Sequence, residues 1–297
     1  MLSTFIAVFL VSTAQGALES NSASKHTAEA PAAIRLYVLD CGTLHIGDIS
    51  RYGLTKDEVA STDLAVPCFL IAHPRGTLIW DVGAVPDDYW QPTGAPVDVH
   101  IVLPRPEEFR FGNLTMVTTL ASQLAQVGYA PGDITYLALS HYHYDHTANA
   151  NMFASSIWLV RGVEREAMFA EKPPAVTQHS SYSSLQGSRT ILIKQDAYDV
   201  FGDGTVVIRS APGHTPGHQV LYVKLPKTGG IVLSGDLYHY AEQRTLKRFP
   251  AFDFDQKQSA ETRAAVEQFL RESDAQLWIQ HDFPSNANLK KAPLYYE

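Results

Sequence analysis

The sequence predicts one α/β domain with two β-sheets and helices on their outer faces. Nine short runs rich in apolar and β-branched residues recur along the chain, each bounded by turn residues. Stretches of helical periodicity lie between some of them. The 297 residues, 45% hydrophobic and 18% charged, have an ordinary globular composition and can build a large core. No repeat or charge block breaks the chain up, so the layered arrangement of a single α/β domain follows.

The expected strands are Ile34–Leu39, Cys68–Ala72, Thr77–Trp80, Ile134–Leu139, Ser156–Val160, Thr205–Arg209, Val220–Lys224, Ile231–Leu233 and Leu277–Ile279. Their apolar faces suit strands buried between layers. The spacing predicts helices over Thr115–Gln126 and over Ser259–Glu272, where Ala260, Ala264, Val266, Phe269 and Leu270 repeat at helical intervals. The longest irregular stretch is Ala84–Leu114. Its Tyr89, Trp90, Phe109 and Phe111 predict a packed apolar flap rather than disorder.

Leu2–Ala14 is apolar and uncharged, and too short to span a bilayer. Ala14 and Gly16 supply the small residues of a signal-peptidase site, although no Lys or Arg precedes the run. The expected organisation is a signal peptide over 1–16, a flexible leader over 17–32 and one hydrolase domain over 33–297. The protein is then periplasmic or secreted, without stable membrane insertion once the signal is removed. A buried N-terminal strand or helix is the alternative. The sequence leaves a homodimer open.

Cys41 and Cys68 lie in apolar, strand-like segments, so buried free thiols are the default expectation. Export would allow them to oxidise if the strands were neighbours. Two cysteines are too few for a thiolate zinc cluster, so any metal must be held by His and carboxylates. The net charge of −8 removes the main driving force for binding nucleic acid.

The central motif is Ser140-His141-Tyr142-His143-Tyr144-Asp145-His146, directly after the run Ile134–Leu139. His141 and His143 alternate and can project to one point. Asp145 and His146, a turn further on, can face a second point close by. Two neighbouring divalent metals are the simplest use of such a cluster, and these donors suit zinc. More potential ligands follow later strand-like runs: His214 in Pro212-Gly213-His214-Thr215-Pro216-Gly217-His218, Asp236 after Ser234-Gly235, and His281 between Gln280 and Asp282. The glycines and prolines of the first loop can hold His214 rigidly. His218 reads as a structural partner of that loop, with support of a ligand as the alternative, Asp81 as a loop anchor or an acceptor behind a ligand, and Tyr142 and Tyr144 as packing around the ligands.

Together His141-x-His143-x-Asp145-His146, His214, Asp236, His281 and the early Asp81-Val82-Gly83 turn resemble the metallo-β-lactamase superfamily, over about Ile34 to His281. The resemblance implies an αββα sandwich of two mixed sheets with the metals at one edge. It implies two Zn²⁺ per chain: His141, His143 and His214 on the first, Asp145, His146 and His281 on the second, with Asp236 bridging. The segments Leu39-Asp40-Cys41-Gly42, Ser210–Gln219 and Gln280-His281-Asp282 are similar to the N-acyl-homoserine lactonases, enzymes of quorum quenching. A lactone ester opened by a hydroxide held between the metals is the activity this implies. Asp145 would carry the proton to the leaving alkoxide.

One departure stands out. The lactonases usually carry a Tyr three residues after the bridging Asp, placed to polarise the carbonyl. Here that position is His239, between Tyr238 and Tyr240. The role is therefore expected of His239 or a neighbouring Tyr, with Tyr238 among the candidates. Competing expectations are a β-lactamase or general esterase on the same scaffold, and an exported metal-binding protein without catalysis. The bridging Asp236 argues against the β-lactamases, and the complete ligand set argues against the non-catalytic protein.

Overall fold

The computed structural model describes residues 30–90, 97–99 and 114–297, the backbone alone for 97–99. The expected signal peptide and most of the leader lie outside the described residues, as do Phe109 and Phe111. The chain runs through β1 (Arg35–His45), β2 (Asp63–His73), β3 (Gly76–Trp80), β4 (Val97–Val99), β5 (Leu114–Met116), α1 (Leu120–Gln126), β6 (Tyr136–Ala138) and α2 (Tyr144–Thr147). It continues through β7 (Ile157–Arg161), α3 (Gly162–Met168), α4 (His179–Tyr182), β8 (Thr190–Ile193), β9 (Ala197–Asp199) and β10 (Val206–Ser210). The last third holds β11 (Gln219–Leu225), β12 (Gly229–Leu233), α5 (Ala241–Leu246), α6 (Gln256–Ser273), β13 (Gln276–Trp278) and α7 (Phe283–Ala287).

The strands form two mixed sheets, ordered β4-β5-β1-β2-β3-β6-β7-β8 and β13-β12-β11-β10-β9. Side chains alternate across each strand. Leu36, Val38, Phe69, Ile71 and Trp80 of the first sheet therefore face Ile208, Leu221, Val223, Ile231 and Leu233 of the second in one buried cluster. Tyr37, Leu39, Leu70 and Ile79 point the other way and pack with Leu120 and Leu124 of α1. On the far side, Val266 and Leu270 of α6 cover Val220 and Val232. Both sheets are thus covered on both faces, in the αββα order.

Two expectations change. The segment expected as a helix from Thr115 is strand first: β5 pairs with β1 through Thr43↔Thr115 and Leu44↔Leu114. The helix starts only after Thr119, whose side chain accepts from the Ser122 N–H. The cysteines are not free either. β1 and β2 are antiparallel neighbours, a bulge follows Asp40, and Cys41 and Cys68 form a disulfide with Cα atoms 5.9 Å apart. Among the described residues, no helix is long and apolar enough to cross a membrane.

Candidate metal centre

Every expected ligand sits just past the C-terminal end of a strand, where loops leave an α/β sheet. The first sheet presents His141, His143, Asp145 and His146 after β6, with β6 held parallel between β3 and β7. The second presents His214 after β10, Asp236 after β12 and His281 after β13. The seven residues assemble into two groups: His141, His143, His214 and Asp236, and Asp145, His146 and His281. All seven are buried or nearly so.

Asp236 stands between the groups. Its Oδ2 lies 3.2 Å from His214 Nε2 and 3.5 Å from His141 Nε2. Its Oδ1 lies 3.0 Å from the Nε2 atoms of both His146 and His281. Asp145 is set further back, with Oδ2 3.7 Å from His281 Nε2 and 3.9 Å from His146 Nε2. Burial drives the imidazoles of His141 and His143 well below their ordinary pKa. Burial opposes charge on His146 as well, but Asp236, Asp81 and Asp145 outweigh it and raise that ring.

The donors fit a pair of divalent cations. Most rings have their outward nitrogen occupied: His141 Nδ1 meets Ser140 Oγ at 3.0 Å, and His146 Nδ1 meets Asp81 Oδ2 at 2.8 Å. His214 Nδ1 meets Asp253 Oδ1 at 2.9 Å, and His281 Nδ1 donates to the Ala65 carbonyl at 2.6 Å. Outer partners of this kind fix ring orientation in metal sites. The inward nitrogens are left to converge. His141 Nε2 is buried without a hydrogen-bond partner, and His146 Nε2 lies 3.1 Å from His281 Nε2. Such a set of buried nitrogens converging on one carboxylate is what zinc coordination satisfies.

Local sequence explains the precision of Asp236. Gly235 precedes it with φ of 49°, and a Cβ there would lie 2.6 Å from His218 Nε2 and 2.8 Å from Ser140 Cβ. His218 itself is the structural partner expected. Burial, then the nearby His214, pushes its pKa down to about 3, so the ring is neutral. It donates from Nδ1 to the Ala211 carbonyl at 2.8 Å and accepts the Asp236 N–H at Nε2 at 2.9 Å. Asp81 is the anchor expected: it accepts the Ser140 N–H at 2.6 Å and the Gln280 side-chain amide at 2.9 Å.

Beside the metal ligands lies a cavity of ≈ 190 Å³, walled by Tyr52, Val176, Phe252 and Phe254, with Asp145 and Asp236 at its base. One sequence expectation fails here. Tyr238 does not reach the cavity: its hydroxyl turns to Glu267 Oε1 at 3.3 Å and its ring packs under Arg263. Tyr238 packs instead with Val266 and Leu270 of α6, while His239 turns to Tyr52 and the cavity. The flap expected over Ala84–Leu114 lies mostly outside the described residues. The part that is described, Ala84–Trp90, lines none of this cavity, and Trp90 Nε1 instead donates to the Val117 carbonyl at 3.1 Å. His239 does line it, with Nε2 3.0 Å from Asp236 Oδ2.

Several site residues carry no signal in the sequence. Glu164 opens α3, away from any motif, yet its buried carboxylate accepts from the Tyr142 N–H at 2.9 Å, the Gly217 N–H at 2.8 Å and Thr215 Oγ1 at 2.8 Å. It joins the two ligand loops. Burial pushes its carboxyl up to about 7 against those hydrogen bonds. Asp253 and Tyr52 come from segments without ligand spacing. A polar Asp253 between Phe252 and Phe254 was the only hint.

This chain belongs to the metallo-beta-lactamase superfamily, whose family model matches residues 61–272. It is similar to the N-acyl homoserine lactonase AttM of Azorhizobium caulinodans, at 29% identity over 89% of this chain and 99% of that one. Among solved structures it resembles an N-acyl homoserine lactone hydrolase holding the product N-hexanoyl-L-homoserine at its catalytic metal centre. The TM-score is 0.70 and the identity 22%, over 88% of this chain and 98% of the other. It also resembles AidC, a dizinc quorum-quenching lactonase, with TM-score 0.60 and 18% identity over 89% and 94% of the two chains.

Proposed function

We propose that this protein is a two-zinc lactonase that hydrolyses the ring ester of N-acyl-homoserine lactones. One observation carries the reading: the two oxygens of Asp236 each face a different histidine group, at the base of a cavity with apolar walls. The likeness to AttM over nearly the whole of both chains supports the substrate class.

His141, His143 and His214 would hold one ion, Asp145, His146 and His281 the other, and Asp236 would serve both. Zinc bound there supplies Lewis acidity to the ester carbonyl and acidifies water at neutral pH. The chain does the rest. Asp236 and the fixed imidazoles keep the centre in place. Phe252, Phe254 and Val176 give the acyl chain an apolar wall and keep bulk water off it. Hydrolysis adds water across the carbonyl carbon–ring oxygen bond, leaving a carboxylate and an alcohol, so the departing alkoxide needs a proton. Asp145 lines the cavity and is the carboxylate set back from the cluster, which suits it to hand over that proton.

The test is acid release in a pH-stat with purified, zinc-loaded protein against N-acyl-homoserine lactones, simple lactones, a β-lactam and an aryl ester. Fastest turnover of acyl-homoserine lactones, with close to two zinc ions per chain by elemental analysis, is expected. Preference for the β-lactam or the aryl ester would overturn the substrate class, and a loaded protein inert on all of them would favour a non-catalytic metal-binding protein.

Export is part of the same proposal. The Cys41–Cys68 bond supports an oxidising compartment. N-terminal sequencing from the native host should find a mature chain starting near Ala17, and an intact Met1 on cytosolic protein would reject it.

A further inference from the structure

We infer that the Tyr52 hydroxyl is the hydrogen-bond donor to the substrate carbonyl, taking the place of the tyrosine that His239 replaces. The inference rests on the lactonase reading above. Its starting point is a vacancy in the chemistry. His239 stands where the lactonases carry a phenol, but its inward nitrogen, Nε2, is engaged with Asp236 Oδ2 at 3.0 Å. Its Nδ1 is buried in the wall without a hydrogen-bond partner. His239 is thus committed to orienting Asp236, and a carbonyl donor must come from elsewhere.

Tyr238 and Tyr240 are ruled out by their contacts, and Tyr144, 1% exposed against 5% for Tyr52, sits deeper in the wall. Tyr238 turns to Glu267, and the Tyr240 hydroxyl donates to the Thr62 carbonyl at 3.1 Å. Tyr142 lines the cavity, but burial and then Glu164 act on its phenol, with neither Asp145 nor Asp236 among its influences. Tyr144 lines it too, with its hydroxyl buried in the wall.

Tyr52 comes from a distant part of the chain, the single 3₁₀ turn Ile49–Tyr52. Its ring meets His239 edge-on at 5.0 Å, Tyr240 at 5.3 Å and Phe252 at 5.2 Å, and it forms a wall of the cavity. No hydrogen bond among the described residues engages its hydroxyl. Burial, then Tyr240, Asp145 and Asp236, push the phenol well above its usual pKa. It therefore stays protonated, with its oxygen in the field of the two carboxylates at the cavity base. One side chain fixes its position relative to His239: Gln243 donates from Nε2 to the Tyr52 carbonyl at 2.8 Å and accepts the His239 N–H at Oε1 at 2.8 Å. A donor held in advance where negative charge develops on the carbonyl oxygen lowers the barrier without reorganisation.

The experiment compares wild type with Tyr52→Phe on an N-acyl-homoserine lactone, measuring kcat, KM and zinc content. The expected result is a kcat lower by about 10-fold or more, KM within about twofold and unchanged zinc, the scale of one transition-state hydrogen bond shared with a metal. Wild-type kcat in the fully loaded variant overturns the inference and leaves the lactonase reading standing. A wild-type protein that opens no lactone overturns both. Should Tyr52→Phe not fold, 4-fluorophenylalanine at position 52 keeps the size of the tyrosine ring but cannot donate a hydrogen bond. The same loss in kcat with unchanged zinc is expected, and wild-type kcat overturns the inference.

Discussion

Asp253 holds His214 by its outward nitrogen: Oδ1 lies 2.9 Å from His214 Nδ1, and Oδ2 accepts from Ser259 Oγ at 2.8 Å. Burial opposes charge on Asp253, but His214 and Ser259 outweigh it and keep the carboxyl below its usual range. The pair turns Nε2 of His214 onto Asp236, so a residue outside the cavity would govern one of the proposed metal positions.

Asp253→Asn keeps the size of this partner and removes its charge. Zinc affinity at the His141/His143/His214 position should fall about 10- to 100-fold, the usual loss for an outer partner of a metal-binding His. Competition with a chromophoric chelator measures it, and the second zinc should bind as in wild type. Two equally weakened zincs would show that Asp253 supports the whole fold rather than one ring.

Asp145→Asn keeps an oxygen near the second metal position but cannot cycle a proton. It should retain most of its zinc and lose at least about 10²-fold in kcat, the scale of general acid–base help. Full metal with wild-type turnover would remove Asp145 from the proton path.

Phe254 is 66% exposed at the cavity rim, and Phe252 packs edge-on to His214 and His239. Phe254→Ala should raise KM about fivefold for long acyl chains and little for butanoyl, since roughly 1 kcal/mol of apolar contact is lost only when a chain reaches it. A uniform rise across chain lengths would mean that the ring shapes the rim without touching the chain.

Glu164→Gln places an amide N–H₂ among donors from Tyr142, Thr215 and Gly217. Leaving buried donors unmatched costs about 1–3 kcal/mol. Urea denaturation should record that loss, and a variant as stable as wild type would show that the loops hold their shape unaided.

The convergence of the seven candidate ligands was legible because metal-binding chemistry imposes spacing. His141, His143, Asp145 and His146 fall within six residues, and His214, Asp236 and His281 each follow a readable strand. Long buried strands such as β2 were legible for the same reason, an unbroken apolar pattern. What escaped was anything fixed by contacts between distant segments. β5 is three residues long and is a strand because β1 and β4 lie on either side of it. Tyr52, Glu164 and Asp253 gain their roles by packing against loops roughly 20 to 190 residues away, and no local pattern encodes that. Tyr238 failed for a simpler reason. The chain bends at His239, so Tyr238 packs against α6 while His239 and Tyr240 turn to Tyr52, and adjacency to His239 in sequence does not place a side chain in the cavity.

The division of the ligands between the sheets also bears on how such a centre is inherited. The N-terminal half supplies His141, His143, Asp145 and His146, the C-terminal half His214, Asp236 and His281. Neither half carries a complete set for even one of the two positions. A gene fragment encoding either sheet could pass on a folding pattern but no hydrolytic chemistry. The proposed centre would exist only where both meet, which makes Asp236, whose two oxygens face different histidine groups, the residue that any fusion or permutation of this chain must keep in register.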